Sequence, residues 1–200
     1  MTAPVAIPAE PADTGDVADL RAAAHGAGIA ARIAPLTFAA ELALETLPAG
    51  PERDEGSRAL DVAARFAAGE TVDPDKIAEA MLHEDAGLFI HHDSVCGKPE
   101  ADAWDAVLSA LGYAAWQGYQ LRGEAPDPLV ENYALEGALD WTINPLAKVP
   151  HLDWTGLARA TADVREHASE AGEGWGQPLR VDDLRRAAGR CPQRPPCGPG

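Results

Sequence analysis

Hydrophobic side chains recur along this chain at helical spacing, whereas the strict alternation that marks β-strands is nearly absent. The segment 35–48 shows the helical pattern most simply. One face of it carries Leu36, Ala40, Ala43 and Leu47. Pro35 is a favoured first residue of a helix, and Pro48 is a residue that stops one. The sequence therefore predicts a core helix that begins at Pro35 and ends before Pro48.

A second helix is predicted over residues 57–70, after an acidic connection. Its aligned apolar positions are Leu60, Ala63, Ala64 and Ala67, with Phe66 on the flank. Gly69 follows at the point where a helix favours a residue in the left-handed conformation. The two segments together predict a helical hairpin, and alanine-rich faces of this kind let helix axes approach closely.

A third helix is predicted to begin at Asp73, whose carboxylate can accept a hydrogen bond from a free amide of the first turn. Pro74 suits the next position because it has no amide to satisfy there. One stripe of this helix carries Ile77, Ala80, Met81 and Glu84. Gly87 then predicts a break, and the segment 87–92, "GLFIHH", is the one place where a short strand could form.

Two longer helices are predicted over residues 100–121 and 127–145. The first aligns Trp104, Leu108, Leu111 and Ala115, and adds Tyr113, Trp116 and Tyr119. The second aligns Val130, Tyr133, Ala134, Gly137 and Trp141. Segments 15–26, 153–172 and 180–190 complete the helical series. The fold class is therefore predicted to be all-α, an irregular multi-helix bundle of about seven helices.

The domain organisation follows from composition. Residues 1–14 contain three prolines and little apolar surface, so they are predicted to be a disordered arm. Residues 15–189 are predicted to form a single helical domain, which suits a chain of 200 residues. Residues 190–200 form a flexible tail that is rich in proline and contains Cys191 and Cys197.

Charge narrows the classes of partner. The net charge of −16 repels phosphate backbones and anionic lipid, so the sequence predicts no nucleic acid and no membrane as partners. Residues 179–200 hold five arginines against two aspartates, so the acidity belongs to the rest of the chain. We expect a basic protein partner. The opening residues lack the apolar run of a signal peptide, so a cytoplasmic location is expected; the oligomeric state stays open.

The segment 83–100 concentrates the candidate metal chemistry. It carries His83, His91, His92, Asp93 and Cys96. A break near Gly87 could bring these nitrogen, oxygen and sulfur ligands together, and such a mixed set suits zinc or iron. The spacing matches neither HExxH nor paired CxxC, however. The other interpretation is a helix end at which imidazolium groups meet the negative end of the helix dipole.

No catalytic residues are predicted, because the chain has no Gly-x-Ser-x-Gly turn, no Walker loop and no GxGxxG after a strand. The predicted partner-binding residues are instead acidic or aromatic. The acidic candidates are Glu131, Glu136 and Asp140, and the possible aromatic anchors are Trp154 and Trp175. The other carboxylates on polar helix faces, including Glu41 and Glu45, are expected to be solvated.

Residues 42–71, "LALETLPAGPERDEGSRALDVAARFAAGET", contain a helix that ends in Leu-Pro, an acidic connection and an Ala-rich helix that closes at Gly-Glu. This stretch resembles the opening of helical immunity proteins from bacterial polymorphic toxin systems. The resemblance implies a small, cytoplasmic, non-enzymatic protein that protects the producing cell by binding a cognate toxin. Two other classes stay open: a metal-dependent helical enzyme or metal sensor, and a helical scaffold that recruits partners through its disordered arms.

Overall fold

The computed structural model describes residues 29–84, 87–134, 149, 151–153, 155–157, 159–160 and 180–190. In these ranges we number seven helices and find no β-strand. They are α1 (Ile29–Glu45), α2 (Pro51–Ala67), α3 (Pro74–Leu82), α4 (Leu88–Ser94), α5 (Pro99–Arg122), α6 (Pro128–Ala134) and α7 (Val181–Ala187). Residues 155–157 and 159–160 are also helical. The predicted all-α fold is confirmed. The predicted helix at 15–26, the arm 1–14, and all of the predicted tail 190–200 except Arg190 lie outside the described residues.

Helix α5 is the centre of the bundle. Fifteen of its 24 residues are buried, and it packs against α1, α2, α3, α4 and α6. It is apolar on almost every side, which is the pattern of a helix enclosed by others. The predicted core residues Trp104, Leu108 and Leu111 are all buried, so that prediction is confirmed. The helix ends at Gly123, which has a φ of 68°.

Two glycines of α5 allow neighbouring helices to approach closely. A Cβ atom on Gly112 would lie 2.6 Å from the Cβ atom of Tyr133 in α6. A Cβ atom on Gly118 would lie 2.8 Å from that of Pro74, the first residue of α3. Since both separations are far below van der Waals contact, any side chain at these positions would push α6 or α3 away.

Helix α1 corrects the predicted start at Pro35. The helix already includes Ile29, and Pro35 lies inside it. Pro35 cannot donate a hydrogen bond to the preceding turn, which disfavours a proline in a helix interior. The segment is nevertheless helical because residues 33–40 and 42–44 are all buried, and tertiary packing of this extent overrides a single residue's propensity.

Helix α2 likewise begins earlier than predicted, at Pro51 rather than at residue 57. Its first turn contains Glu52 and Asp54, whose negative charges are favoured near the positive end of the helix dipole. The predicted end of the helix is confirmed. Gly69 has a φ of 85°, and its N–H donates to the carbonyl oxygen of Phe66.

Helices α3 and α4 lie on either side of Gly87 and test the structure predicted for that region. The Asp73 carboxylate accepts a hydrogen bond from the N–H of Asp75 at 3.2 Å, so the predicted helix start is confirmed. The chain breaks before Gly87, as predicted, but Glu84 lies exposed beyond the end of α3 and does not continue its buried stripe. The segment "GLFIHH" is not a strand: Gly87 precedes α4 and residues 88–92 form most of that helix, with Leu88 buried in the core.

No helix in the described ranges is both long enough and apolar enough to cross a membrane.

Candidate functional site

Glu131 is the one predicted partner-binding residue that lies within the described ranges. It is exposed on α6, whose opposite face buries Val130 and Tyr133 in the core. Leu129, two residues before it, is 45% exposed. The Asp127 carboxylate accepts a hydrogen bond from the N–H of Leu129 at 2.8 Å, which fixes the start of the helix. The exposed side of α6 thus carries Glu131 near one edge and Leu129 near the other, since residues two apart do not face each other on a helix.

The other predicted partner-binding residues, Glu136, Asp140, Trp154 and Trp175, lie outside the described residues. Whether they form one surface with Glu131 therefore stays a prediction.

The histidines of α4 contact carboxylates on two different helices. His91 Nε2 lies 3.2 Å from Glu55 Oε2 of α2, and the His91 ring packs on Trp104 with centroids 5.4 Å apart. His92 Nε2 lies 3.1 Å from Asp105 Oδ1 of α5. Both residues occupy the last turn of α4, where positive charge is favoured, so the geometry supports the helix-end interpretation.

The remaining candidates for a metal site are His83, Asp93 and Cys96, and all three are exposed. Within the described ranges, no three His, Cys, Asp or Glu side chains are grouped so that they could hold a metal ion. These side-chain positions therefore do not support zinc or iron binding by the segment 83–96, which stays a prediction.

An arginine at the end of α5 holds the start of α3. Arg122 Nη2 lies 2.7 Å from Asp73 Oδ1, and the Tyr119 hydroxyl donates to Asp75 Oδ1 at 2.6 Å. The hydrogen bond from Arg122 lowers the pKa of Asp73. Burial, followed by the hydrogen bond to Asp75, raises the pKa of Tyr119. The carboxylates at this end of the bundle are therefore already paired within the chain.

A second, larger set of ion pairs joins α7 to α1, and the sequence reasoning missed it. Arg185 Nη2 and Nε lie 2.5 and 3.0 Å from the two carboxylate oxygens of Glu41. Arg190 pairs with Glu45 and, at 3.0 Å, with Asp153. We call residues 181–190 the C-terminal clasp. Glu41 and Glu45 were expected to be solvated. That prediction is wrong for Glu41, whose side chain is only 14% exposed, whereas Glu45 is exposed as predicted and also pairs with Arg190.

The electrostatics of this pair depend on its burial. Burial raises the pKa of the Glu41 carboxyl, and the hydrogen bonds and charge of Arg185 offset part of that rise. Burial also works to lower the pKa of the Arg185 guanidinium, but its bonds to Glu41 and Asp182 outweigh this effect, and the pKa is raised overall. Arg185 is therefore charged at any ordinary pH, and it is the cation that makes a buried Glu41 tolerable.

An open cavity of about 260 Å³ lies beside the clasp. It is lined by Leu42, Glu45, Thr46, His151, Asp153 and Arg190. Arg190 is engaged by two of the lining carboxylates, and the Asp153 carboxylate also accepts a hydrogen bond from the N–H of Gly156 at 2.9 Å. Three polar side chains that line this cavity, those of Glu45, Asp153 and Arg190, therefore serve the attachment of the clasp.

The bundle formed by α1 to α6 matches a known protein family. A family model described as "Immunity protein Imm6" matches residues 31–144, more than half of the 200-residue chain. The match contains the stretch 42–71 that carried the resemblance to immunity proteins, and it ends before the C-terminal clasp. No curated protein and no solved structure matches the chain. The chain belongs to the Imm6 family of immunity proteins.

Proposed function

We propose that this chain neutralises a toxin domain by binding to it, without chemistry of its own, in the cytoplasm of a bacterial producing cell. The observation that carries the proposal is the match of residues 31–144 to the Imm6 immunity family. A protein of this kind needs a binding surface rather than catalytic residues. The internal role of the His91 and His92 imidazoles, each of which contacts a carboxylate of the bundle, agrees with this assignment.

We further propose that the toxin surface is basic. The chain carries a net charge of −16, which would attract a basic domain over long range and speed its encounter. The carboxylates of α1 and of the start of α3 are neutralised by Arg185, Arg190 and Arg122, so they contribute little to this attraction.

The outer side of α6 is the surface that we propose for the contact. Glu131 forms no ion pair with a lysine or arginine of the described ranges, and the exposed Leu129 offers apolar area at the other edge of the solvent-facing side, roughly 160° away around the helix. Charged and apolar groups in this combination supply orientation and a desolvated contact respectively. We propose that the same contact surface continues along the chain to Glu136, Asp140, Trp154 and Trp175.

The test begins with capture of the partner by the tagged full-length chain in extracts of the native host, at low and at moderate salt. A captured basic protein is then expressed alone and together with the chain. The proposal expects growth inhibition by the partner alone and relief by co-expression. Capture of no basic protein at either salt, or a captured protein that does not inhibit growth, counts against it.

A matched pair of variants tests the proposed surface. Glu131→Lys should weaken capture and increase the rate of dissociation, because it places a positive charge against a basic partner. Glu79→Lys makes the same charge change at an exposed position of α3 and should leave capture unchanged. Equal effects of the two variants would show that net charge alone matters and that α6 is not the contact surface.

Two further arms address the alternative classes. A scaffold that recruits partners through its arms loses binding when residues 1–14 and 191–200 are removed, whereas the proposed function keeps it; Arg190 is retained so that the clasp is intact. A metal-dependent enzyme or sensor contains stoichiometric zinc or iron by elemental analysis, and loses it in a His91→Ala, His92→Ala double variant.

A further inference from the structure

Helix α7 is attached to the bundle through a small apolar contact. It has seven residues, its principal helical neighbour in the described ranges is α1, and its buried side chains are Val181 and Leu184, with Ala188 just beyond its end. A helix this short has little stability of its own in water. By contrast α5 has 24 residues and contacts five helices. The position of α7 therefore depends on what holds it to α1.

Arg185 and Arg190 supply most of the polar part of that attachment in the described ranges, and Arg159 Nη1 adds a hydrogen bond of 3.5 Å to the Ala188 carbonyl oxygen. The inner contact is the pair of hydrogen bonds from Arg185 to Glu41, whose side chains are 23% and 14% exposed. The outer contact is Arg190 with Glu45 and Asp153, whose side chains are more accessible to solvent. Glu41 and Glu45 lie one helical turn apart on α1, so both contacts fall on one face of that helix.

Only the carboxylates of these ion pairs lie in the segment that matches the Imm6 family. Glu41 and Glu45 fall within the matching residues 31–144, whereas the C-terminal clasp, with Arg185 and Arg190, follows that segment. The bundle that the family model covers therefore presents two carboxylates on α1, and the C-terminal clasp provides their cations. An unpaired carboxylate at the depth of Glu41 is costly, so the clasp and α1 are energetically coupled at this point.

We propose that the C-terminal clasp is a releasable strap: residues 181–190 open from α1 as one unit while the α1–α6 bundle stays folded, and closure withholds Glu41 from the surface. This inference does not rest on the proposed function. Among the described residues, opening requires the loss of the Arg185 and Arg190 contacts, of the hydrogen bond from Arg159 to the Ala188 carbonyl oxygen, and of a small apolar contact. It leaves the packing around α5 untouched. Local opening of this kind is expected where few apolar contacts cross to the rest of a domain.

Hydrogen exchange of the full-length chain, read by mass spectrometry, tests the first half of the proposal. The reporters in the clasp are the hydrogen-bonded amides of residues 188–190, and those in the bundle are the amides of residues 108–115 in α5. We expect the clasp amides to exchange about 100-fold faster than those of α5, because local opening exposes them without global unfolding. Equal exchange rates in the two regions would overturn the proposal.

An Arg185→Gln variant removes the inner contact. It should speed exchange of the clasp amides by about tenfold and leave α5 unchanged, because it weakens only the closed form of the clasp. The control is Arg65→Gln, which removes an exposed ion pair with Glu70 on α2 and should alter neither region. If Arg185→Gln speeds exchange in both regions alike, the clasp is part of the bundle's cooperative unit and the proposal fails.

If Arg185→Gln does not fold, an Arg190→Gln variant tests whether the clasp opens separately, because the ion pairs of Arg190 are more exposed than that of Arg185 with Glu41. It should speed exchange of the remaining clasp amides by a smaller factor than Arg185→Gln. It should also weaken the response of those amides to about 1 M salt, at which exposed ion pairs are strongly screened. Clasp amides that exchange at the wild-type rate in Arg190→Gln would contradict the proposal.

Carboxyl labelling tests the second half. Glu41 should react with a water-soluble carbodiimide and an amine slowly in the wild-type chain and several-fold faster in Arg185→Gln, while the exposed Glu131 reacts at the same rate in both. Unchanged labelling of Glu41 in a variant whose clasp exchange has risen would show that closure does not withhold this carboxylate.

Discussion

Helices α5 and α7 are held in place by different interactions. Helix α5 is enclosed on nearly all sides by apolar side chains from five other helices, and it lies within the segment that matches the Imm6 family. Helix α7 rests mainly on α1, lies outside that segment, and is fixed by Arg185 and, at its end, by Arg190. The first arrangement makes a helix inseparable from the folding of the domain, whereas the second lets a helix respond to charge and salt.

This difference is tested most directly by replacing one buried leucine with alanine in each helix. Leu108 of α5 and Leu184 of α7 are both fully buried. Leu108→Ala should lower the free energy of unfolding by about 2–5 kcal/mol, because it leaves a cavity in the core. Leu184→Ala should lower it by no more than about 1–2 kcal/mol, because the clasp can open without unfolding the bundle and the loss cannot exceed the free energy of its closure. Chemical denaturation followed by tryptophan fluorescence measures both.

Similar losses for the two leucine variants would contradict the comparison, since they would place α7 in the same cooperative unit as α5. Hydrogen exchange adds a control: Leu184→Ala should speed exchange only in residues 181–190.

The close approach of α6 to α5 gives the next largest effect. Gly112→Ala would place a Cβ atom 2.6 Å from the Cβ atom of Tyr133, so α6 must shift. Overpacking of this kind costs about 1–3 kcal/mol of unfolding free energy. Gly50→Ala is the control, because Gly50 has an extended backbone and its nearest neighbour is the flexible Glu52 side chain. Thermal unfolding by circular dichroism distinguishes them, and a Gly112→Ala variant as stable as Gly50→Ala would refute the close approach.

The contrast between α5 and α7 also explains what the sequence could predict. Helix α5 was readable because its apolar residues recur at helical spacing along its whole length. The Asp73 cap and the Gly69 end were readable because each depends on neighbours within a few residues. The start of α1 was missed because Pro35 argues locally against a helix interior, and only packing from distant segments overrides it.

The contact between Arg185 and Glu41 was beyond local reasoning because 144 residues separate the two. The one signal for it was the excess of arginine in residues 179–200 beside an i, i+4 pair of glutamates in α1. Of the predicted partner-binding residues, Glu131 was placed correctly on a solvent-exposed helix face, because the period of α6 alone determines which side is buried.

The pH dependence of stability tests the charge of the clasp. In Arg185→Leu, Glu41 is buried without a guanidinium, so its pKa in the folded chain lies further above the unfolded value of about 4.3. A carboxyl whose pKa is raised on folding stabilises the fold below the unfolded pKa, and that stability is lost as pH rises through the folded pKa. At pH 7 the variant should therefore be about 1–2 kcal/mol less stable than wild type, and opening of the clasp limits this loss. At pH 4 the variant and the wild type should have nearly the same free energy of unfolding.

Urea denaturation across this pH range measures the effect. A Glu41→Leu, Arg185→Leu double variant serves as the control, because replacing both partners with apolar groups removes the titrating carboxyl. A deficit of Arg185→Leu that is the same at pH 4 and pH 7 would mean that Glu41 does not carry the effect.

The smallest effect comes from the two glycines that close α2 and α7. Gly69 and Gly189 have φ values of 85° and 79°, a region that costs an alanine about 1–2 kcal/mol. Gly69→Ala should lower the free energy of unfolding by about 1 kcal/mol because α2 belongs to the bundle. Gly189→Ala carries the same local strain, but it should appear only as faster exchange of the clasp amides, because the opened clasp relieves it. A Gly189→Ala variant that unfolds as early as Gly69→Ala would show that α7 belongs to the cooperative unit of the bundle.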